Sequence, residues 1–164
     1  MPKKVFFIRH AKSDWESGFI HDIERPLNER GTRDAPIMAN RLKQKINSDI
    51  LLISSPAKRA LTTAYYFAEA LGVLKEKVLV KDTLYNTSLV DILECIRSVP
   101  EANTIALFGH NPELTILVNL SKTMEPISNI PTCGIVEISY NVASWKEVGL
   151  NNGEVLSFDY PKKI

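Results

Sequence analysis

The sequence predicts a three-layer α/β/α sandwich around a mostly parallel central sheet. Short apolar runs alternate with stretches of helical periodicity, the pattern of repeated strand–helix units. Two of the runs, Val5 to Arg9 and Thr104 to Gly109, are apolar without alternation, as central strands covered on both faces must be. The composition, 45% hydrophobic and 24% charged over 164 residues, is that of an ordinary globular chain. A chain this long buries roughly 68–70% of its unfolded surface. Residues 1–164 are therefore expected to form a single domain, and no internal repeat, low-complexity tract or linker interrupts them.

The elements follow in order. After the first strand, Lys12 to Pro26 is a polar loop containing Trp15, too long for a routine connection and so expected to be functional. Asn28 is placed to cap a helix to about Ile46, with Gly31 and Pro36 expected to weaken or kink its first half. Ile50 to Ser54 reads as the second strand. Pro56 is expected in the first turn of a helix from about Ala57 to Leu71, ended by Gly72. Lys77 to Lys81 alternates as a short third strand, and Leu89, Ile92, Leu93 and Ile96 mark a helix that stops before Pro100. Asn111 and Pro112 form a cap and first-turn pair for a helix to about Leu120. Two alternating runs, Ile135 to Tyr140 and Val155 to Tyr160, close the sheet, at least one of them antiparallel.

Charge excludes some functions. Lys plus Arg number 20 against 19 Asp plus Glu, so there is no basic footprint for a nucleic acid. No apolar run approaches the ~20 residues that span a bilayer, and no signal peptide is read at the start, so a cytoplasmic location is expected. Cys95 and Cys133 sit apart in apolar segments and are expected to be buried thiols.

Ligands of open α/β sheets bind beyond the carboxyl ends of the strands. The first strand ends in Arg9-His10, the second runs into Ser55-Pro56-Ala57-Lys58-Arg59, and the fourth ends in Gly109-His110. Two arginines and two histidines thus converge on one edge. Guanidinium presents a planar fork suited to phosphate oxygens, and phosphoryl transfer asks mainly for positioning and charge neutralisation. A neutral imidazole is a competent nucleophile toward phosphorus, and neighbouring arginines disfavour its protonation. A zinc site fails for want of a close third ligand, since His21 lies in a loop; no metal or cofactor is expected.

Ile8-Arg9-His10-Ala11-Lys12-Ser13, Arg25-Pro26-Leu27-Asn28-Glu29-Arg30-Gly31, Ser55-Pro56-Ala57-Lys58-Arg59-Ala60 and Gly109-His110-Asn111-Pro112 together resemble the histidine phosphatase superfamily, in that order. The version with Lys12, Ser13, Trp15 and the Arg-Pro-Leu-Asn run resembles its small phosphohistidine-phosphatase, SixA-like branch. The resemblance covers Val5 to about Leu120. It implies a phosphoglycerate-mutase-like fold, His10 as the phosphorylated nucleophile, and Arg9, Arg59 and His110 holding the phosphoryl group. Arg25 is expected beside the site, binding substrate or anchoring the long loop by a salt bridge. Trp15 is expected to pack within that loop, with lining the mouth of the site as the alternative, and His21 to be a surface residue.

Two departures from the family pattern matter. Ala11 stands where glycine is usual, which requires a backbone without positive φ. Asn86 stands where many members carry a general acid; Asp82 is the nearby substitute, on the wrong side of Leu84. The expected activity is a phosphatase for phosphohistidine on a partner protein. The alternatives are a phosphatase for small phosphate monoesters, a phosphate-binding module without turnover, and, least favoured, a mutase, for which no covering segment exists.

Overall fold

The computed structural model describes residues 2–15, 18, 20–123 and 125–163. Glu16, Ser17 and Phe19 of the long loop lie outside the described residues. Among the described residues six strands form one sheet: β1 (Lys3–Arg9), β2 (Leu51–Ser54), β3 (Leu79–Val80), β4 (Thr104–Gly109), β5 (Ile135–Tyr140) and β6 (Gly153–Asp159). Their spatial order is β3-β2-β4-β1-β5-β6. The first four run parallel to one another; β5 pairs antiparallel with β1, and β6 antiparallel with β5. Four helices accompany them, α1 (Glu29–Lys45), α2 (Lys58–Leu71), α3 (Leu89–Arg97) and α4 (Glu113–Leu120). No helix among the described residues is long and apolar enough to cross a membrane.

Alternation along the central strands sorts the core into two halves. Phe6, Ile8, Ala106 and Phe108 face α1 and α2, packing with Met38, Leu42 and Phe67. Val5, Phe7, Ile105 and Leu107 face the other way, packing with Ile92, Ile96, Leu114 and Leu117 from α3 and α4. The expected three layers result, and both cysteines are buried and free within them. Full burial of one Phe or Leu side chain contributes roughly 1.5–3 kcal/mol. The central strands therefore hold their carboxyl ends on the best-packed part of the molecule.

Several local expectations are corrected. α1 runs unbroken through Gly31 and Pro36, because its buried stripe of Ala35, Met38, Ala39 and Leu42 outweighs one missing donor. Asn28 caps it as expected, its side chain accepting from Gly31 N at 2.9 Å. Pro56 precedes α2 rather than opening it; Ala57 is the cap, and Gly72 ends the helix at φ 72°. Pro112 occupies the capping position of α4 after a cis Asn111–Pro112 bond, while Asn111 Oδ1 accepts from Thr115 N and Oγ1 at 3.2 and 2.8 Å. The third strand shrinks to two residues because Lys75–Lys77 turns into a 3-10 helix.

Register then places the chemistry. Arg9 pairs with Gly109 and Ser54 with Phe108. His10 N donates to Gly109 O at 3.1 Å and Ser55 N to Phe108 O at 3.1 Å. The residues leaving β1, β2 and β4 therefore emerge side by side. Gly31 seats α1 directly on the chain after β1: a Cβ there would lie 2.2 Å from Lys12 O, which already accepts from Asn28 N at 3.0 Å. At the far side of the sheet, Lys122 bonds β6 through Gly153 O at 2.9 Å and Val155 N at 2.8 Å. Arg41 ties down the end of β6 through Asp159 Oδ1 at 3.1 Å and Tyr160 O at 3.0 Å.

Candidate active site

A cleft of about 390 Å³ opens at the carboxyl edge, and Arg9, His10, Arg25, Arg59 and His110 all line it. The five expected site residues are thus brought together. A larger depression of about 1030 Å³ at the opposite edge, around Lys3, Asp49 and Trp145, holds none of them.

His10 is the first residue beyond β1, and its ring is buried. Its Nδ1 lies 2.7 Å from Ala11 O. A carbonyl only accepts, so Nδ1 carries the hydrogen and Nε2 keeps a lone pair. Burial pushes the His10 pKa down to about 3, with smaller contributions in the same direction from His110, Arg59 and Arg9; the Ala11 bond opposes them. The ring is therefore neutral at pH 7. Ala11 in place of glycine costs nothing here: its φ is not positive. Its N–H donates to Thr63 Oγ1 at 3.0 Å, and Thr63 in turn donates to Arg59 O at 2.7 Å. Thr63 thereby ties the chain after β1 to the first turn of α2.

His110 stands across the cleft, its ring centroid 5.3 Å from that of His10. Burial, then the Arg59 charge, pushes its pKa down to about 4. Its Nε2 is 2.8 Å from Ser55 Oγ. Ser55 Oγ itself accepts from Ala57 N at 3.2 Å, so the start of α2 fixes the hydroxyl. Arg9 donates from Nη1 to Ile130 O at 2.9 Å. Three buried nitrogens of these cleft residues, Arg9 Nε, Arg59 Nε and His110 Nδ1, have no hydrogen-bond partner in the protein. Buried polar groups are ordinarily satisfied, so three together mark a place for an acceptor-rich ligand.

Asp22, in a 3-10 turn of the long loop, joins the group although the sequence reading passed over it. Its Oδ1 accepts from Arg25 Nε at 2.9 Å; its Oδ2 accepts from Arg59 Nη2 at 3.1 Å and Tyr85 Oη at 2.6 Å. Its carbonyl accepts from Arg59 Nη1 at 2.8 Å. The Tyr85 bond, with those from the two arginines, holds the Asp22 carboxyl well below the usual carboxylate range, against the opposing effect of burial. Tyr85, also unforeseen, packs edge-on to His110 at 5.9 Å. The available signal for Asp22 was its three-residue spacing from Arg25 in a loop already singled out by length.

Arg25 is buried and anchors the loop: besides Asp22, it donates to Ser13 Oγ at 2.8 Å and Asp14 O at 3.2 Å. Trp15 packs within the loop as expected, the Arg25 guanidinium lying 3.6 Å from its ring centroid, and it also lines the cleft, 72% exposed. His21 is exposed, as expected. Asn86 lines the cleft at φ 49°, a conformation asparagine tolerates. Asp82 is exposed and does not line the cleft, since its 3-10 turn directs Leu84 to Thr87 there instead. Among the described residues, no group of three or more His, Cys, Asp and Glu could hold a metal ion.

Fold and cleft together define a three-layer α/β protein that gathers neutral imidazoles and arginine donors at the carboxyl edge of its sheet. The histidine phosphatase superfamily (branch 1) matches residues 5–89, and the chain belongs to that superfamily. An uncharacterised Mycobacterium leprae protein is 25% identical over 94% of this chain and 100% of its own length. Among solved structures, an Agrobacterium tumefaciens protein assigned as the phosphohistidine phosphatase SixA superposes with a TM-score of 0.79 at 24% identity, covering 98% of this chain and 99% of that one. The protein histidine phosphatase SixA complexed with tungstate gives 0.77 at 22% identity, with 96% and 97% covered. A mycobacterial glucosyl-3-phosphoglycerate phosphatase gives 0.65 at 16%, with 94% and 97% covered. These likenesses share the phosphoglycerate-mutase-like fold.

Proposed function

We propose that residues 1–164 act as one domain that hydrolyses phosphohistidine on partner proteins through a phospho-His10 intermediate. His10 Nε2 attacks phosphorus while the bond from phosphorus to the substrate imidazole breaks. The proton on the substrate's other ring nitrogen stays there, so the imidazole leaves neutral. Water then takes the phosphoryl group from Nε2, giving inorganic phosphate and restoring the ring. Arg9, Arg59 and His110 hold the phosphoryl oxygens throughout, and Arg25 anchors the loop that bears on them. Ser55 Oγ–H, donating to His110 Nε2, leaves the His110 proton on Nδ1 for an oxygen.

The observation that carries this reading is the set of three unpartnered nitrogens beside a histidine whose Nδ1–H is already bonded. Unpartnered nitrogens on three residues that line one cleft favour an acceptor-rich oxyanion as its ligand. Tungstate, such an oxyanion, is held by one of the SixA neighbours. Leaving-group chemistry favours phosphohistidine over esters. An alkoxide needs a general acid, worth typically 10²–10⁴ in rate, whereas a protonated imidazole needs little help. Here Asn86 is an amide, Asp82 is outside the cleft and Asp22 is ionised, so that of the residues lining the cleft only the half-buried Glu113 is a further carboxyl group.

Rapid-quench labelling with a ³²P-phosphohistidine protein tests the proposal. Acid-labile label should accumulate on His10 and vanish in a folded His10→Ala variant. Label on His110 or on a serine, or turnover confined to small phosphate esters, would overturn it.

A further inference from the structure

The mechanism leaves one feature unused: an ionised carboxylate set into a cleft that otherwise gathers donors for an anion. Asp22 does not lie buried as a structural counter-ion would; its side chain is 50% exposed on the cleft wall. A carboxylate offers about four acceptor positions. Three are taken, by Arg25, Arg59 and Tyr85, and the turn around Asp22 is held by Arg59 as well. One acceptor position therefore remains on a group whose orientation is fixed from three sides. It lies on Oδ1, beside Arg25, while Oδ2 of the same carboxylate holds Arg59, the residue whose Nε has no partner in the protein.

An anion beside a phosphate clamp repels a phosphate ester and gains nothing from an alkoxide. Phosphohistidine differs: beyond the phosphoryl group it carries a ring whose second nitrogen, when protonated, is a cationic N–H donor. Hydrogen bonds to ionised acceptors are roughly twice as strong as neutral ones. Keeping that proton in place is also what makes the imidazole a good leaving group. Resting on the proposed phosphohistidine reaction, we infer that Asp22 is its specificity-determining residue, its carboxylate accepting the N–H of the substrate imidazole that does not bear phosphorus. No proton is transferred: the phosphorus–nitrogen bond breaks, its electron pair stays on the ring, and the N–H bonded to Asp22 leaves with the neutral imidazole.

The test compares kcat/KM for phosphoimidazole and p-nitrophenyl phosphate in the wild type, Asp22→Asn and Asp22→Glu. Losing one hydrogen bond to a charged group should cost about tenfold to a hundredfold on phosphoimidazole beyond any loss on the aryl ester. Asp22→Glu should recover part of that preference. Equal losses on both substrates would reduce Asp22 to a residue that positions Arg59, and overturn the inference; so would a selective loss in Glu113→Gln in place of Asp22→Asn. A substrate-side measurement stands whether or not the variants fold. N-methyl phosphoimidazole keeps the positive ring but lacks the N–H, and the wild type should turn it over about tenfold to a hundredfold more slowly than phosphoimidazole. Equal rates there would refute the hydrogen bond. A wild type that turns over esters but neither phosphohistidine nor phosphoimidazole would instead defeat the proposed reaction, a separate result.

Discussion

Replacing Gly31 by alanine should damage both fold and activity, although alanine is the better helix former. A Cβ at Gly31 would lie 2.2 Å from Lys12 O and 3.0 and 3.1 Å from Lys12 N and C. All three contacts are backbone, so no side chain can swing aside, and separation must grow by more than 1 Å to reach ordinary contact. Overpacking of this kind costs typically 1–3 kcal/mol. The Asn28 N–H to Lys12 O bond lies in the path of any relief, and its loss adds about 1 kcal/mol. Alanine's helix propensity returns about 0.8–1.0 kcal/mol. The net loss is about 1–3 kcal/mol, and at 2–4 °C per kcal/mol for a domain of this size the Tm should fall by about 2–12 °C. Lys12 is two residues from His10, and a displacement near 1 Å can cost 10²-fold in rate. Activity measured well below the lowered Tm should therefore also drop. Thermal unfolding followed by circular dichroism, with kcat/KM at 20 °C, reads both. A Gly31→Ala protein with unchanged or raised Tm and full activity would refute the close seating of α1 on the loop.

Two further outcomes follow from the cleft. His10 and His110 are held neutral, with pKa values of about 3 and about 4, so kcat/KM should stay flat from pH 7 to about pH 5, where ordinary histidines would already have charged. Their pKa values are depressed from 6.5, so the unfolded chain takes up protons first as pH falls through 6.5. Each buried ring then withdraws about 1.4 kcal/mol of stability per pH unit down towards pH 4, visible in urea midpoints; an acid limb with an apparent pKa near 6.5 would contradict the burial. Arg59→Ala should lower kcat/KM by about 10²–10³, the usual cost of one fixed donor to a transition-state oxygen. Arg59→Lys should recover only part of that, because a single ammonium cannot make both bonds to Asp22 and also reach the phosphoryl group; full activity in Arg59→Ala would remove Arg59 from the clamp.

How much of this was legible in the chain depends on what kind of residue carried the signal. Arg9, His10, Arg59 and His110 each follow a strand, or open the helix after one, and strand ends in a parallel sheet have a known destination. Uninterrupted apolar runs located β1 and β4, and register did the rest. Asp22 and Tyr85 have no such marker. Their place depends on how a long polar loop folds back over the sheet, which the pairing of Ser13 with Leu27 and the Arg25 bonds decide through space. Packing of Trp15 within the loop is legible, but that its partner is the guanidinium ten residues on is decided by the same fold-back. Pro36 does not end α1, because a single breaker acts locally while the buried face of the helix acts along its whole length.

The ends of the sheet bear on how the protein behaves when concentrated. A flat, unpaired outer strand is a template on which another chain can add. At one end of this sheet β3 is only two residues, Leu79–Val80, flanked by lysines at positions 77 and 81. It offers an incoming strand too short a ladder and a charged border. At the other end β6 is seven residues long, but Lys122 has already claimed the outward groups of Gly153 and Val155, and Arg41 holds the strand's exit through Asp159 and Tyr160. An incoming strand would thus meet only two residues of β3 at one end, and at the other only the part of β6 beyond Val155.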